Sequence, residues 1–172
     1  MTTRRRWLTG LLSLGAGALA IKSAVAETGT VNDAATAPRF PGDPTDHNIV
    51  YQFNKADQEY HRAVLFSVGE MLRQYEDNVS IVVTAFGPGI HILAKSPKRP
   101  VNEETKQRVK SLAEYGVKFH ACGNTMNSLG WTADDMLPFV EVVKVGAADI
   151  MELQEKGYSY IRDRKSTRLN SS

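Results

Sequence analysis

Cys122 is the only cysteine in a chain of 172 residues, and its setting is what first suggests chemistry. Val117, Phe119 and Ala121 alternate with Lys118 and His120, then give way to Gly123. That is the pattern of a short strand with a buried face running out into a loop. In open α/β sheets reactive groups gather beyond the carboxyl ends of the strands, where loop backbone and helix amino termini converge. A helix beginning after Gly123 would aim its partial positive end at the sulfur, and uncovered glycine amides nearby would favour thiolate over thiol. Three states of the thiol stay open on the residues alone: a nucleophile, a disulfide partner for another chain, or a buried inert group, since free cysteines are often simply packed.

Three other strand exits are expected on the same edge: Asn54-Lys55, Gly87-Pro88-Gly89 and Gly146-Ala147. With Gly123, Asn124 and Thr125 they complete the candidate site around Cys122, and Lys55 adds a positive charge there if its loop bends inward. His120 lies two residues before Cys122 and so shares its face of the strand. Same-face neighbours are about 6 to 7 Å apart, beyond a direct hydrogen bond without a bend or a water, so a structural or supporting role is favoured over that of a base. His47, His61 and His91 share no metal-ligand spacing with each other or with Cys122, so no metal is expected. Gly87-Pro88-Gly89 lacks the third glycine and the lysine of the phosphate-binding fingerprints, and no cofactor is expected. Trp131 and Tyr115 read as core or subunit contacts, and Lys95, Lys98 and Arg99 as a solvated loop rather than an anion site.

The charge balance narrows the partners. Four of the 21 basic residues lie before residue 27 and three beyond residue 163, leaving 14 against all 19 acidic residues between them, a net charge of −5. That speaks against nucleic acid, whose affinity depends on clustered Lys and Arg. Arg4, Arg5 and Arg6 precede an apolar run from Trp7 to Ile21, and Ala24-Val25-Ala26 supplies small residues for signal cleavage. Residues 1–26 are therefore expected to be a signal peptide, and Thr3 to Leu8 resembles the twin-arginine pattern more than an ordinary Sec signal. The expected location is the periplasm, with no stable membrane span after cleavage. Residues 27–46, with Pro38, Pro41 and Pro44, read as a flexible leader. Residues 164–172 read as a non-native tail resembling translated adapter sequence.

Residues 47–163 must then form the domain that positions Cys122. Asn48 to Phe53 reads as a strand, followed by a helix with Val64, Leu65, Val68, Met71, Leu72 and Tyr75 on one stripe. Val79 to Phe86 is nearly continuously apolar, as in a strand covered on both faces. Ile90 to Ala94 reads as an extension or an added strand. Asn102 caps a helix with Val109, Leu112 and Ala113 inward and Gly116 at its end. Asn124 to Leu129 reads as one helical turn, and Thr132 with Asp135 as a capping box for a short helix ending near Leu137. Val140 to Val145 reads as the next strand, followed by a helix with Ile150, Met151 and Leu153 inward, and Tyr158 to Ile161 as an edge strand. Alternating strands and helices imply parallel pairing. The expectation is a single three-layer α/β domain with a mostly parallel sheet of about five strands and helices on both faces.

From about residue 47 to residue 162 the chain resembles the DsrE/DsrF-like family, of YchN-like fold, and especially its exported members. The resemblance is carried by Ile49 to Phe53, Val82 to Gly89, the stretch Phe119-His120-Ala121-Cys122-Gly123-Asn124-Thr125-Met126, and Val142 to Gly146 ahead of a helix ending in Gly157-Tyr158. It implies a sulfur-relay protein, a sulfurtransferase-like carrier in which Cys122 accepts sulfane sulfur as a persulfide and passes it to a partner. It also implies a homo-trimer or homo-hexamer. The competing expectation is a non-catalytic module that binds a small ligand or a protein, with Cys122 merely packed.

Overall fold

The computed structural model describes residues 43–162. The expected signal peptide, the leader up to residue 42 and the tail lie outside the described residues. Five strands, β1 (His47–Phe53), β2 (Val79–Ala85), β3 (Lys118–Cys122), β4 (Val140–Val143) and β5 (Ser159–Ile161), form one sheet in the order β4-β3-β2-β1-β5. All four pairings are parallel. The helices are α1 (Gln58–Tyr75), α2 (Glu103–Glu114), α3 (Gly123–Leu129) and α4 (Gly146–Glu155). None of the described helices is long and apolar enough to cross a membrane.

Local sequence accounts for the starts of the long helices. Asp57 caps α1 by accepting from the Tyr60 amide at 3.0 Å, and Asn102 caps α2 by accepting from the Thr105 amide at 2.8 Å. Val64, Leu65 and Val68 of α1 and Val109 and Leu112 of α2 then meet Tyr51, Phe53, Val83 and Phe119 of the sheet in the larger core. Met126 of α3 joins the same core.

The chain direction decides which helix covers which face. From β1 to β4 each strand is laid beside the last in one direction, with α1, α2 and α3 packed into the same core. β5 returns to the far side of β1, so its crossover runs the opposite way across the sheet. Right-handed connections place that helix on the opposite face. Accordingly α4 packs Ile150 and Leu153 against Val50 and Val82 in a separate, smaller cluster.

Four local expectations need correction. Ile90 to Ala94 is no strand: Gly87–Leu93 is a 3-10 segment, and only Ala94 forms an isolated antiparallel bridge, to Met136. Pro88 fixes the early helical φ, and a short buried apolar run does not distinguish strand from helix by itself. Thr132 and Asp135 do form a capping box, but the helix it starts is a single 3-10 turn, Ala133–Asp135. β4 stops at Val143, because Val145 already precedes the first turn of α4. Met151 is 52% exposed rather than inward: α4 alone covers its face, so only the stripe of Ile150 and Leu153 meets the sheet.

Candidate functional site at the carboxyl edge of the sheet

Cys122 is the last residue of β3 and the residue from which α3 departs, with extended backbone at φ −72° and ψ 113°. It pairs with Val143, the last residue of β4. The chain leaves β3 toward the face of α1 and α2, and leaves β4 toward the opposite face, so the two exits diverge at Cys122. A crevice between diverging exits is where open α/β sheets accommodate ligands. Asn124 ties the two exits together, its amide donating to the Lys144 carbonyl at 3.3 Å.

The sulfur lies in a tight polar setting and the residue is only 5% exposed. Burial is the largest single influence on its proton and pushes the thiol up, but the Gly146 amide, the Thr125 hydroxyl and the amides of Thr125 and Asn124 act the other way. Together they hold the thiol below its usual range. The sulfur accepts no ordinary capping hydrogen bond from the amides of α3; the groups surround it as a set of donor dipoles. Thr125 is aligned for its part, because its Oγ1 accepts from the Gly87 amide at 3.1 Å and its own proton is free to face the sulfur.

Glycine is favoured by close approach at three positions around the site. A Cβ on Gly146 would lie 3.1 Å from the Cys122 Cβ and 3.1 Å from Phe86 Cδ1, so a side chain would push the α4 amide away from the thiol. A Cβ on Gly89 would lie 2.4 Å from the Phe53 carbonyl oxygen, which no rearrangement of side chains relieves. Gly89 thus lets the segment after β2 press on the end of β1, while Gly123 sits under β4, where a Cβ would meet the Val143 carbonyl at 3.1 Å.

Other expected residues are placed elsewhere. The Lys55 ammonium lies over the Tyr60 ring, 5.0 Å from its centroid, and the Lys55 carbonyl is bonded to His61 Nε2 at 2.9 Å. Lys55 is not among the groups that act on the sulfur. Asn54 offers its amide to the Tyr60 hydroxyl at 3.3 Å, a bond that stabilises the turn. His120 does share the Cys122 face of β3, but its Nδ1 faces the two carboxylate oxygens of Asp149 at 3.0 and 2.9 Å. Thr84 Oγ1 donates to the same carboxylate at 2.7 Å. As the carboxylate accepts, the Nδ1 proton belongs to the histidine; Nε2 has no hydrogen-bond partner among the described residues and lies 3.5 Å from Glu141 Oε2.

Asp149 was not foreseen from the sequence. It belongs to the first turn of α4, the turn that also carries the Gly146 amide, and Thr84 and His120 anchor that turn to the sheet. The only signal in the sequence is an acidic residue where a helix start favours one. A groove of about 630 Å³ between α1 and α2 is lined by Leu72, Arg108, Ser111 and Tyr115 among others, and Cys122 is not part of its lining. No group of three or more metal-ligating side chains occurs among the described residues.

The arrangement can support a sulfur nucleophile, and comparison with known proteins agrees on the fold. The model of the DsrE/DsrF-like family matches residues 41–162. MTH1491 from Methanobacterium thermoautotrophicum, a solved structure described as a protein of unknown function, is 29% identical with a TM-score of 0.62, over 69% of this chain and 100% of its own. The ychN protein from E. coli is 13% identical with a TM-score of 0.56, over 68% of this chain and 99% of its own, and shows the fold alone. No curated protein matches the sequence.

Proposed function

The chain belongs to the DsrE/DsrF-like family, and from that premise we propose that it is a periplasmic sulfur carrier working through a persulfide on Cys122. The observation that supports this reading is the thiol held below its usual range by Gly146, Thr125 and Asn124 at the carboxyl edge of the sheet. In the loading step the Cys122 thiolate attacks the terminal sulfane sulfur of a donor persulfide or polysulfide. The new S–S bond forms as the donor's own S–S bond breaks, and the departing donor thiolate takes the electron pair. No external oxidant or reductant is consumed. Delivery is the same exchange with an acceptor thiolate attacking the outer sulfur, which returns Cys122 to thiolate. The donor dipoles that favour the thiolate favour a persulfide anion for the same reason.

Export through the twin-arginine route and assembly as a homo-trimer or homo-hexamer belong to this proposal. The competing reading, a binding module with a packed thiol, draws on the low exposure of Cys122. Intact mass separates the two. After incubation with polysulfide the protein should gain one sulfur, about 32 Da, lose it on reduction, and show no gain as Cys122→Ser. A folded protein that gains nothing under conditions that load an authentic persulfide carrier would sink the sulfur-carrier reading.

A further inference from the structure

Along Asn124 and Thr125 lies a cavity of about 390 Å³, lined also by Gly87, His91, Arg99 and Ser128, with Pro88 and Leu129. No carboxylate lines it, although acidic residues outnumber basic ones in residues 27–163. Arg99 has no ion-pair partner among the described residues, and a guanidinium can only donate. His91 is 3% exposed, and neither ring nitrogen has a hydrogen-bond partner among the described residues; its buried Nδ1 is left orphaned, while the ring stands edge-on to Trp131 at 5.0 Å. A buried polar side chain left without a partner is costly, and His91 is one of the residues that line the cavity. Ser128 donates to the Asn124 carbonyl at 2.9 Å, and Thr125 is engaged with Gly87. The polar groups left for a ligand are therefore the Arg99 guanidinium, the His91 ring and the Asn124 side-chain amide.

We propose that this cavity binds a small oxyanion, such as a sulfate-like or phosphate-like group, through Arg99, His91 and Asn124. The planar guanidinium fork matches paired oxygens of such a group, and the absence of any lining acid leaves nothing to repel it. Lys98 reinforces the local field. Burial first, then Arg99 and Lys98, hold the His91 imidazole below its usual range, so it meets the anion as a neutral ring with one proton to donate. The ligand would rest against Thr125, whose hydroxyl also acts on Cys122, so occupancy reaches the thiol through one side chain. The sequence alone suggested a solvated loop at Lys95, Lys98 and Arg99; those side chains are exposed, and it is the wall opposite Arg99 that makes a site of it.

The test is titration of the full chain with sulfate, phosphate and thiosulfate at constant ionic strength, followed by calorimetry and by the His91 imidazole resonances. Saturable binding of at least one of them is expected, with the His91 titration midpoint moved upward as the anion offsets Arg99 and Lys98. Arg99→Met should weaken binding by about tenfold or more, the loss of a charge-assisted contact. Lys110→Met, outside the cavity, should bind as the parent protein does. Cys122→Ser should also retain binding, so the anion site can stand or fall independently of sulfur loading. No saturable binding up to tens of millimolar, undiminished binding by Arg99→Met, or loss of binding by Cys122→Ser would each overturn the proposal.

Discussion

At the scale of single residues, the thiol of Cys122 is governed by a contest between burial and donor dipoles, and the dipoles win. A folded-state pKa below the unfolded value means that the thiolate contributes stability above the unfolded pKa, about 8.5, and loses it as pH falls through the folded value. The stability of the parent protein relative to Cys122→Ser should therefore rise from mildly acidic to mildly alkaline pH. Denaturant midpoints of the two proteins across that range test this, and a difference independent of pH would refute it. Alkylation of the folded protein should follow the same depressed midpoint. Gly146→Ala removes the largest favourable donor from its place and crowds the Cys122 Cβ. It should cost about 1 to 3 kcal/mol through overpacking and shift the alkylation midpoint upward. Unchanged alkylation by a folded Gly146→Ala protein would show that this amide does not tune the thiol.

At the scale of elements, α4 is the part that completes the site, and its first turn is tied down by Asp149. Asp149→Asn keeps the shape but removes the charge that accepts from Thr84 and His120. A loss of about 1 to 3 kcal/mol is expected from a partly unsatisfied buried network. If the tether also sets the Gly146 amide, alkylation of Cys122 should move to higher pH in Asp149→Asn while its maximal rate on the fully ionised thiol stays near that of the parent. A stability loss with an unmoved pH profile would make the tether structural only. The elements most legible in the sequence were those with a full period of burial, such as α1 with Val64, Leu65 and Val68. The segment Gly87–Leu93 was misread because all its later residues are buried, and continuous burial carries no period.

At the scale of the whole molecule, two histidines outside the thiol site make the fold sensitive to acid. Burial, more than any other influence, lowers the proton affinity of both His61 and His91; it outweighs the Lys55 carbonyl and Asp57 at His61, and is joined by Arg99 and Lys98 at His91. Their neutral forms contribute stability that is complete above the unfolded pKa, about 6.5, and is lost as pH falls through the folded values. Stability should thus decline below about pH 6.5, and less steeply in His61→Gln than in the parent. Equal slopes for the two proteins would remove His61 from the account. Tyr115 and Phe66 remain large and exposed on the helical face. Sedimentation of the mature protein tests the proposed trimer or hexamer, and a monomer at micromolar concentration would end that part of the proposal.

The alternation of Val117, Phe119 and Ala121 before Gly123 was enough to put the sole cysteine at a strand exit, and the alternating elements were enough to require parallel strands. Those are local properties: periodicity, caps and glycine breaks are written within a few residues of where they act. Only the tertiary structure decided that β5 returns to the far edge, that α4 therefore crosses the opposite face, and that the exits of β3 and β4 diverge at Cys122. The pairing of His120 with Asp149, 29 residues later, and the cavity joining Arg99 to Asn124 are equally non-local. Side chains far apart in the chain meet only through strand order and crossover hand, and no period in the sequence encodes either one.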